Sequence, residues 1–164
     1  MDIIRANQKW ENKDNGKKLK GKILAICCGK VKKEKKIPMK EGLIIKDWGL
    51  EGDAHAGKYH KQISLLGLDS MNKMQDQGVT VNFGELYENL DVEGIILYKL
   101  PMGTKLKVGE NVLLEITQIG KKDSYFLEIN GKTVSSIMTK EGVFARVLEG
   151  GKVKAGDEIE VVSE

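Results

Sequence analysis

The stretch from Trp48 to Leu66, WGLEGDAHAGKYHKQISLL, limits the fold more than any other part of the chain. Gly49, Gly52 and Gly57 interrupt it before Lys61, and glycine at that density costs too much backbone entropy for a regular helix. After Gln62 the pattern turns apolar at Ile63, Leu65 and Leu66, which predicts a loop running straight into a buried strand. Both histidines of the chain, His55 and His60, lie in this stretch. Together with Asp53 and Gln62 they put polar side chains on a loop whose glycines permit close approach to a ligand. The loop is a candidate site, and the rest of the chain reads as its scaffold.

That scaffold is expected to be mainly β. Glycine is frequent (19) and proline scarce (2), which suits many short strands joined by tight turns. Lys22 to Cys28 carries the continuous apolar run Ile23 to Ile26, suited to a barrel or sandwich interior. Leu43 to Ile45, Val79 to Phe83, Asn111 to Ile119 and Gly142 to Leu148 read as further strands. Lys107-Val-Gly-Glu-Asn-Val and Lys154-Ala-Gly-Asp-Glu-Ile echo each other, which suggests one hairpin used twice in a closed or half-closed barrel. Gly120 to Lys140 is looser, with a helical pattern only near Val134 to Thr139. A short helix is expected from an Asp69 N-cap to Gly78, with Met71 and Met74 on its core face.

The balance of 40% hydrophobic and 31% charged residues is that of a globular chain. Residues 1–21 are read as an N-terminal extension and 22–162 as one domain. The first residues lack the apolar core of a signal peptide, and no run approaches the roughly 20 apolar residues of a membrane helix, so a cytoplasmic protein with no membrane partner is expected. A net charge of +3 is too small to indicate nucleic acid. The lysine-rich run Lys30 to Lys40 has no interleaved aromatic on which bases could stack, so it is read as a solvated loop that can also steer an anionic small molecule. Adjacent Cys27 and Cys28 point to opposite faces of a strand and have no metal-ligand spacing. Glu85, Glu88, Asn89, Asp91 and Glu93 crowd around Tyr87 and are read as an exposed acidic cluster, with acid–base work by paired carboxylates as the alternative.

Four blocks, GLEGDAHAGKYHKQISLL, FGELYENLDVEGI, LPMGTKLKVGENVLLEITQIGK and KEGVFARVLEGGKVKAGDEIEV, occur in this order. Together they resemble a stand-alone bacterial MOSC domain, the module named after the C-terminal part of eukaryotic molybdenum-cofactor sulfurases. The resemblance implies a MOSC-type β-barrel with a few short helices and a role in handling the molybdenum (or tungsten) pterin cofactor or its sulfur. The family's polar loop maps onto Asp53, His55, His60 and Gln62, and its glutamate–asparagine pair onto Glu88 and Asn89. The lysine after TQIG maps onto Lys121, and the basic residue of the last conserved strand onto Arg146.

One departure bears on chemistry. The family usually places a cysteine shortly after TQIGK as metal ligand or sulfur carrier, and here Asp123 stands at that position, with Ser124 where a histidine is frequent and Thr139 where proline is usual. A carboxylate forms no persulfide, so cysteine-based transfer at this position is excluded. The resemblance then leaves three readings. One is a binding module for the pterin cofactor or a related anion, serving biosynthesis or acceptor proteins. Another is a sulfurtransferase or reductase working through other ligands, and the third is a degenerate interaction protein.

Overall fold

The computed structural model describes residues 19–163. Most of the expected N-terminal extension therefore lies outside the described residues. In chain order the strands are β1 (Lys20–Cys28), β2 (Ile37–Met39), β3 (Glu41–Ile45), β4 (Gly49–Leu50), β5 (Ile63–Gly67), β6 (Leu90–Glu93) and β7 (Lys105–Val108). They continue with β8 (Val112–Ile119), β9 (Phe126–Ile129), β10 (Lys132–Ser135), β11 (Val143–Glu149), β12 (Gly151–Lys154) and β13 (Glu158–Ser163).

Seven of these close into a barrel, in the order β13-β7-β8-β11-β5-β6-β1, with β1 returning to β13. Closure removes the free sheet edges that invite aggregation. All neighbouring pairs in the ring are antiparallel except β5 and β6, which run parallel. A parallel pair needs a crossover of a dozen or more residues. Leu68 to Asn89 supplies it, through a short α-helix (Leu68–Asn72) and a 3-10 turn (Lys73–Gln77).

The strand parity of β5 and β11 creates two cores. Ile63, Leu65, Val143, Ala145 and Val147 point into the barrel, where Ile23, Leu90 and Leu114 are also fully buried. Leu66 and Phe144 point outward and join a second cluster with Met71, Met74, Leu86 and Met138. The crossover and the β9–β10 hairpin cover that outer face, with Leu127, Ile129 and Val134 packed beneath them. The candidate site lies at the edge of this outer layer.

Several sequence expectations are corrected. Val79 to Phe83 forms no strand, although Val79 packs into the outer core. Asp69 does not cap the crossover helix, whose N-cap is Gly67, but Gly78 does end the following turn at φ 82°. The echo is only half a hairpin repeat. β7 pairs with β8, whereas β12 leaves to pair with β3 and β13 returns to β7. The looser stretch contains the β9–β10 hairpin, built on Asn130 and Gly131 at φ 51° and 79°. Both turn residues at positive φ fit the tight turn that matches strand twist. The helix there begins only at Met138 (Met138–Glu141).

Candidate functional site

The glycine-rich loop is held by its own backbone and by buried polar groups. Gly49 sits at φ 132°, and a Cβ there would stand 2.5 Å from the Gln62 carbonyl oxygen, so no other residue lets the loop close on itself. Asp53, buried at the loop's start, accepts hydrogen bonds from Gly29 N (3.0 Å) and His55 N (3.1 Å). Its Oδ1 also lies 2.6 Å from Lys36 Nζ. Lys36 is only 3% exposed, so the lysine run is not solvated throughout, and its last member before Ile37 is drawn inside by Asp53. The ammonium lies 3.2 Å from His55 Nδ1.

His55 in turn lines a hollow of about 120 Å³ with Tyr59, Lys61, Ser64, Tyr87, Asn89, Lys121, Met138 and Phe144. Ser64 and Phe144 are register partners on β5 and β11, both facing outward. Lys61 Nζ lies 5.7 Å and Lys121 Nζ 5.4 Å from the centroid of the Phe144 ring, and Lys121 is also 5.0 Å from that of Tyr125. Among the described residues neither lysine pairs with a carboxylate. Burial, then the charges of Lys61 and Lys36, push the Lys121 ammonium below its usual range. Burial and the Lys36 charge push the His55 imidazole below its usual value, which favours the neutral ring.

Lys61 and Lys121 also line an open groove of about 660 Å³, with Gln118, Lys122, Asp123, Thr139 and Lys140 among its walls. Four lysines face one carboxylate there, so the groove carries positive charge. Its volume lies within the ~300–1,000 Å³ usual for ligand sites, whereas the inner hollow holds roughly four waters' worth of atoms at ~30 Å³ each.

Another part of the hollow's wall is a pinned turn. Tyr87 adopts φ 69°, a strained conformation for a bulky residue, and its ring stacks on Tyr125 at 6.1 Å. Glu88 holds the turn by accepting hydrogen bonds from Gly84 N (2.9 Å) and Leu86 N (3.1 Å).

The sequence-predicted residues therefore separate by position. His55, Asn89 and Lys121 meet at the inner hollow, and Asp123 is exposed in the outer groove. His60 stands at the groove's rim, with Nε2 3.0 Å from Gln118 Oε1. Asp53, Gln62 and Glu88 are buried behind the surface. Gln62 is fully engaged, accepting from Val147 N (2.8 Å) and donating to Asp47 Oδ1 and Gly57 O (3.1 Å each). Asn89 ties β5 to β1, accepting from Ser64 N (3.0 Å) and donating to Cys27 O (3.1 Å). Arg146 lies outside both hollows, its guanidinium 3.5 Å from Asp47.

The acidic cluster is not simply exposed, as Glu88, Asn89 and Asp91 are fully or almost fully buried. Asp91 is held far above the carboxylate range by burial and by the neighbouring Glu88, and it contacts the Cys27 thiol at 3.9 Å. Burial raises both cysteine thiols as well, Cys27 most of all. Sequence reasoning missed Lys36, Lys61, Ser64 and Phe144. Only Phe144 carried a signal, as an outward aromatic beside the inward-facing Val143 and Ala145.

No family model matches the chain, and no curated protein matches it significantly. Solved structures do. The YuaD protein from Bacillus subtilis superposes with a TM-score of 0.70 at 19% identity, over 90% of this chain and 98% of that one. YiiM from Geobacillus stearothermophilus gives 0.63 at 17% identity, over 87% of this chain and 75% of its own. YiiM from Escherichia coli gives 0.62 at 20%, over 88% and 70%. The barrel is of MOSC type. At these identities the likeness establishes the fold alone. Within the MOSC-type barrel the cationic hollow sits on the outer face of β5 and β11, and no helix among the described residues is long and apolar enough to cross a membrane.

Proposed function

We propose that this chain is a binding module for a molybdenum or tungsten pterin cofactor, or an anion of the same build, and that it holds its ligand without cysteine sulfur chemistry. One observation carries the reading: Lys61 and Lys121 converge on the Phe144 ring, without carboxylate partners among the described residues, where the inner hollow meets the groove. Burial and the neighbouring Lys61 charge both disfavour the Lys121 ammonium, and an anion seated beside the two lysines would offset that cost.

The residues fit the anionic and ring parts of such a cofactor. Lys61 and Lys121 would take its negative groups, His55 would donate one hydrogen bond, and Phe144 and Tyr87 would flank a planar ring. They offer less to a metal. No cluster of three or more His, Cys, Asp or Glu side chains suited to a metal ion occurs among the described residues. Cys27 is buried beneath Asn89 and Cys28 lies under the glycine loop beside Glu51. When bound, the metal centre supplies oxygen- and sulfur-transfer chemistry, and this chain's own residues bind and orient.

The test is a fluorescence titration with a molybdopterin preparation. Saturable binding in the micromolar range is expected, weakened at least tenfold by Lys121→Ala and unchanged by Arg146→Ala. No saturable binding, or equal loss in both variants, overturns the proposal.

A further inference from the structure

We infer that Lys36 is a positioning residue that locks His55 as the neutral imidazole with its proton on Nε2, so that the hollow meets its anion with an uncharged N–H donor. The inference deepens the anion-binding reading and rests on it for its functional consequence, but the lock itself can be measured without a ligand. An ammonium group has donors and no acceptor. The ring nitrogen that it approaches at 3.2 Å, His55 Nδ1, must therefore be the bare one. The competing arrangement, a proton on Nδ1 donated to Asp53, fails on distance, because Asp53 Oδ2 lies 3.9 Å away.

The lock is fixed from behind. Asp53 holds Lys36 at 2.6 Å and also accepts the backbone N–H groups of Gly29 and His55, so ammonium and imidazole are referred to the same carboxylate. Tyr59 donates its hydroxyl to His55 O at 2.7 Å, tying the loop from the other side. Among the described residues the charged groups acting on the ring are Lys32, Lys36, Lys121 and the acid Asp53, with Lys61 on the shared hollow. Four cations against one engaged carboxylate oppose a further positive charge on the imidazole.

An anion site that uses imidazolium weakens as pH rises through the imidazole range near ~6.5. This one is expected to keep constant affinity there for an anion of fixed charge. The experiment is nitrogen-detected NMR of the labelled full chain over roughly pH 5.5 to 7.5, around that imidazole value, with His60→Gln to assign the two rings. The expected spectrum has His55 neutral, protonated on Nε2, and titrating below the ordinary value. A double variant, Lys36→Met with Asp53→Asn, removes the ion pair together and leaves no buried charge alone. In it His55 is expected to show mixed tautomers and a titration moved up toward the ordinary value. A proton on Nδ1 in the parent chain, an ordinary or raised titration there, or an unchanged tautomer in the double variant would overturn the inference. Sulfate, a dianion across this range, is the binding probe. Flat affinity supports the lock, and a fall of about tenfold per pH unit above the imidazole value overturns it. If sulfate does not bind while the His55 spectrum is as expected, the lock stands and the anion-binding reading falls.

Discussion

Removing either member of the buried Lys36–Asp53 pair should destabilise the fold far more than removing both. The two side chains are 2% and 1% exposed and 2.6 Å apart, so Lys36→Met strands a carboxylate and Asp53→Ala strands an ammonium. Breaking such a pair on one side costs about 3–5 kcal/mol, mostly from the uncompensated charge left behind. Asp53→Ala adds the loss of an acceptor for Gly29 N and His55 N, so it should fall at the upper end. For a domain of this size each kcal/mol shifts Tm by about 2–4 °C, so each single variant should melt roughly 6–20 °C lower. The double variant Lys36→Met with Asp53→Asn leaves no unpaired charge and should lie within about 2 kcal/mol of the parent. Urea unfolding at neutral pH, with m unchanged between variants, measures all three. Single variants within about 1 kcal/mol of the parent, or strictly additive losses, would refute the claim that the pair is buried, ionised and coupled.

Other outcomes follow from particular residues. Asp91 has a folded pKa raised to about 11, above its unfolded value, so the stability it contributes is full below the unfolded carboxylate value and is lost as pH rises from there toward the folded one. Asp91→Asn should therefore stabilise by about 1–3 kcal/mol near pH 8 and change little near pH 4, by urea midpoints at the two values. His55 has the opposite sign for a base: its stabilising contribution is present above the unfolded imidazole value and is lost as pH falls through that value to the lower folded one. His55→Gln should flatten that part of the stability–pH curve, an effect kept small by the ring's 37% exposure. At Gly131 (φ 79°) a Cβ would meet nothing within 4 Å, so Gly131→Ala should cost about 1–2 kcal/mol from backbone conformation alone. A neutral result in chemical denaturation would contradict the turn geometry. Iodoacetamide at pH 8 should alkylate half-buried Cys28 first and Cys27 only on unfolding, by mass mapping of the peptides.

The parts of the fold legible in the sequence were those with local causes. The apolar run at Ile23 to Ile26, the alternation after Val112 and the glycine punctuation between Trp48 and Gln62 each report a backbone state directly, and β1, β8 and the loop before β5 follow them. Asn130-Gly131 is an equally local hairpin signal, and the β9–β10 pairing it sets up overrides the first part of the helical pattern at Val134 to Thr139. Long-range pairing was not legible. Lys36 looks like any member of a lysine-rich run until Asp53, seventeen residues on, draws it inside. Asp91 looks like part of a solvated acidic cluster until the parallel β5–β6 pairing takes it inside, and Glu88 until it folds back onto the backbone of Gly84 and Leu86. Arg146 shares the outward parity of Phe144 but stands one pleat further along β11, where Asp47 is its neighbour. Parity was readable there, but position along the sheet was not.

The most direct test of the anion site is anomalous diffraction from crystals soaked in tungstate. The account predicts a tungsten peak in the hollow bounded by His55, Lys61, Lys121 and Phe144, lost in the Lys61→Ala, Lys121→Ala double variant. Peaks confined to the exposed lysines between Lys30 and Lys35, with none in the hollow, would contradict it.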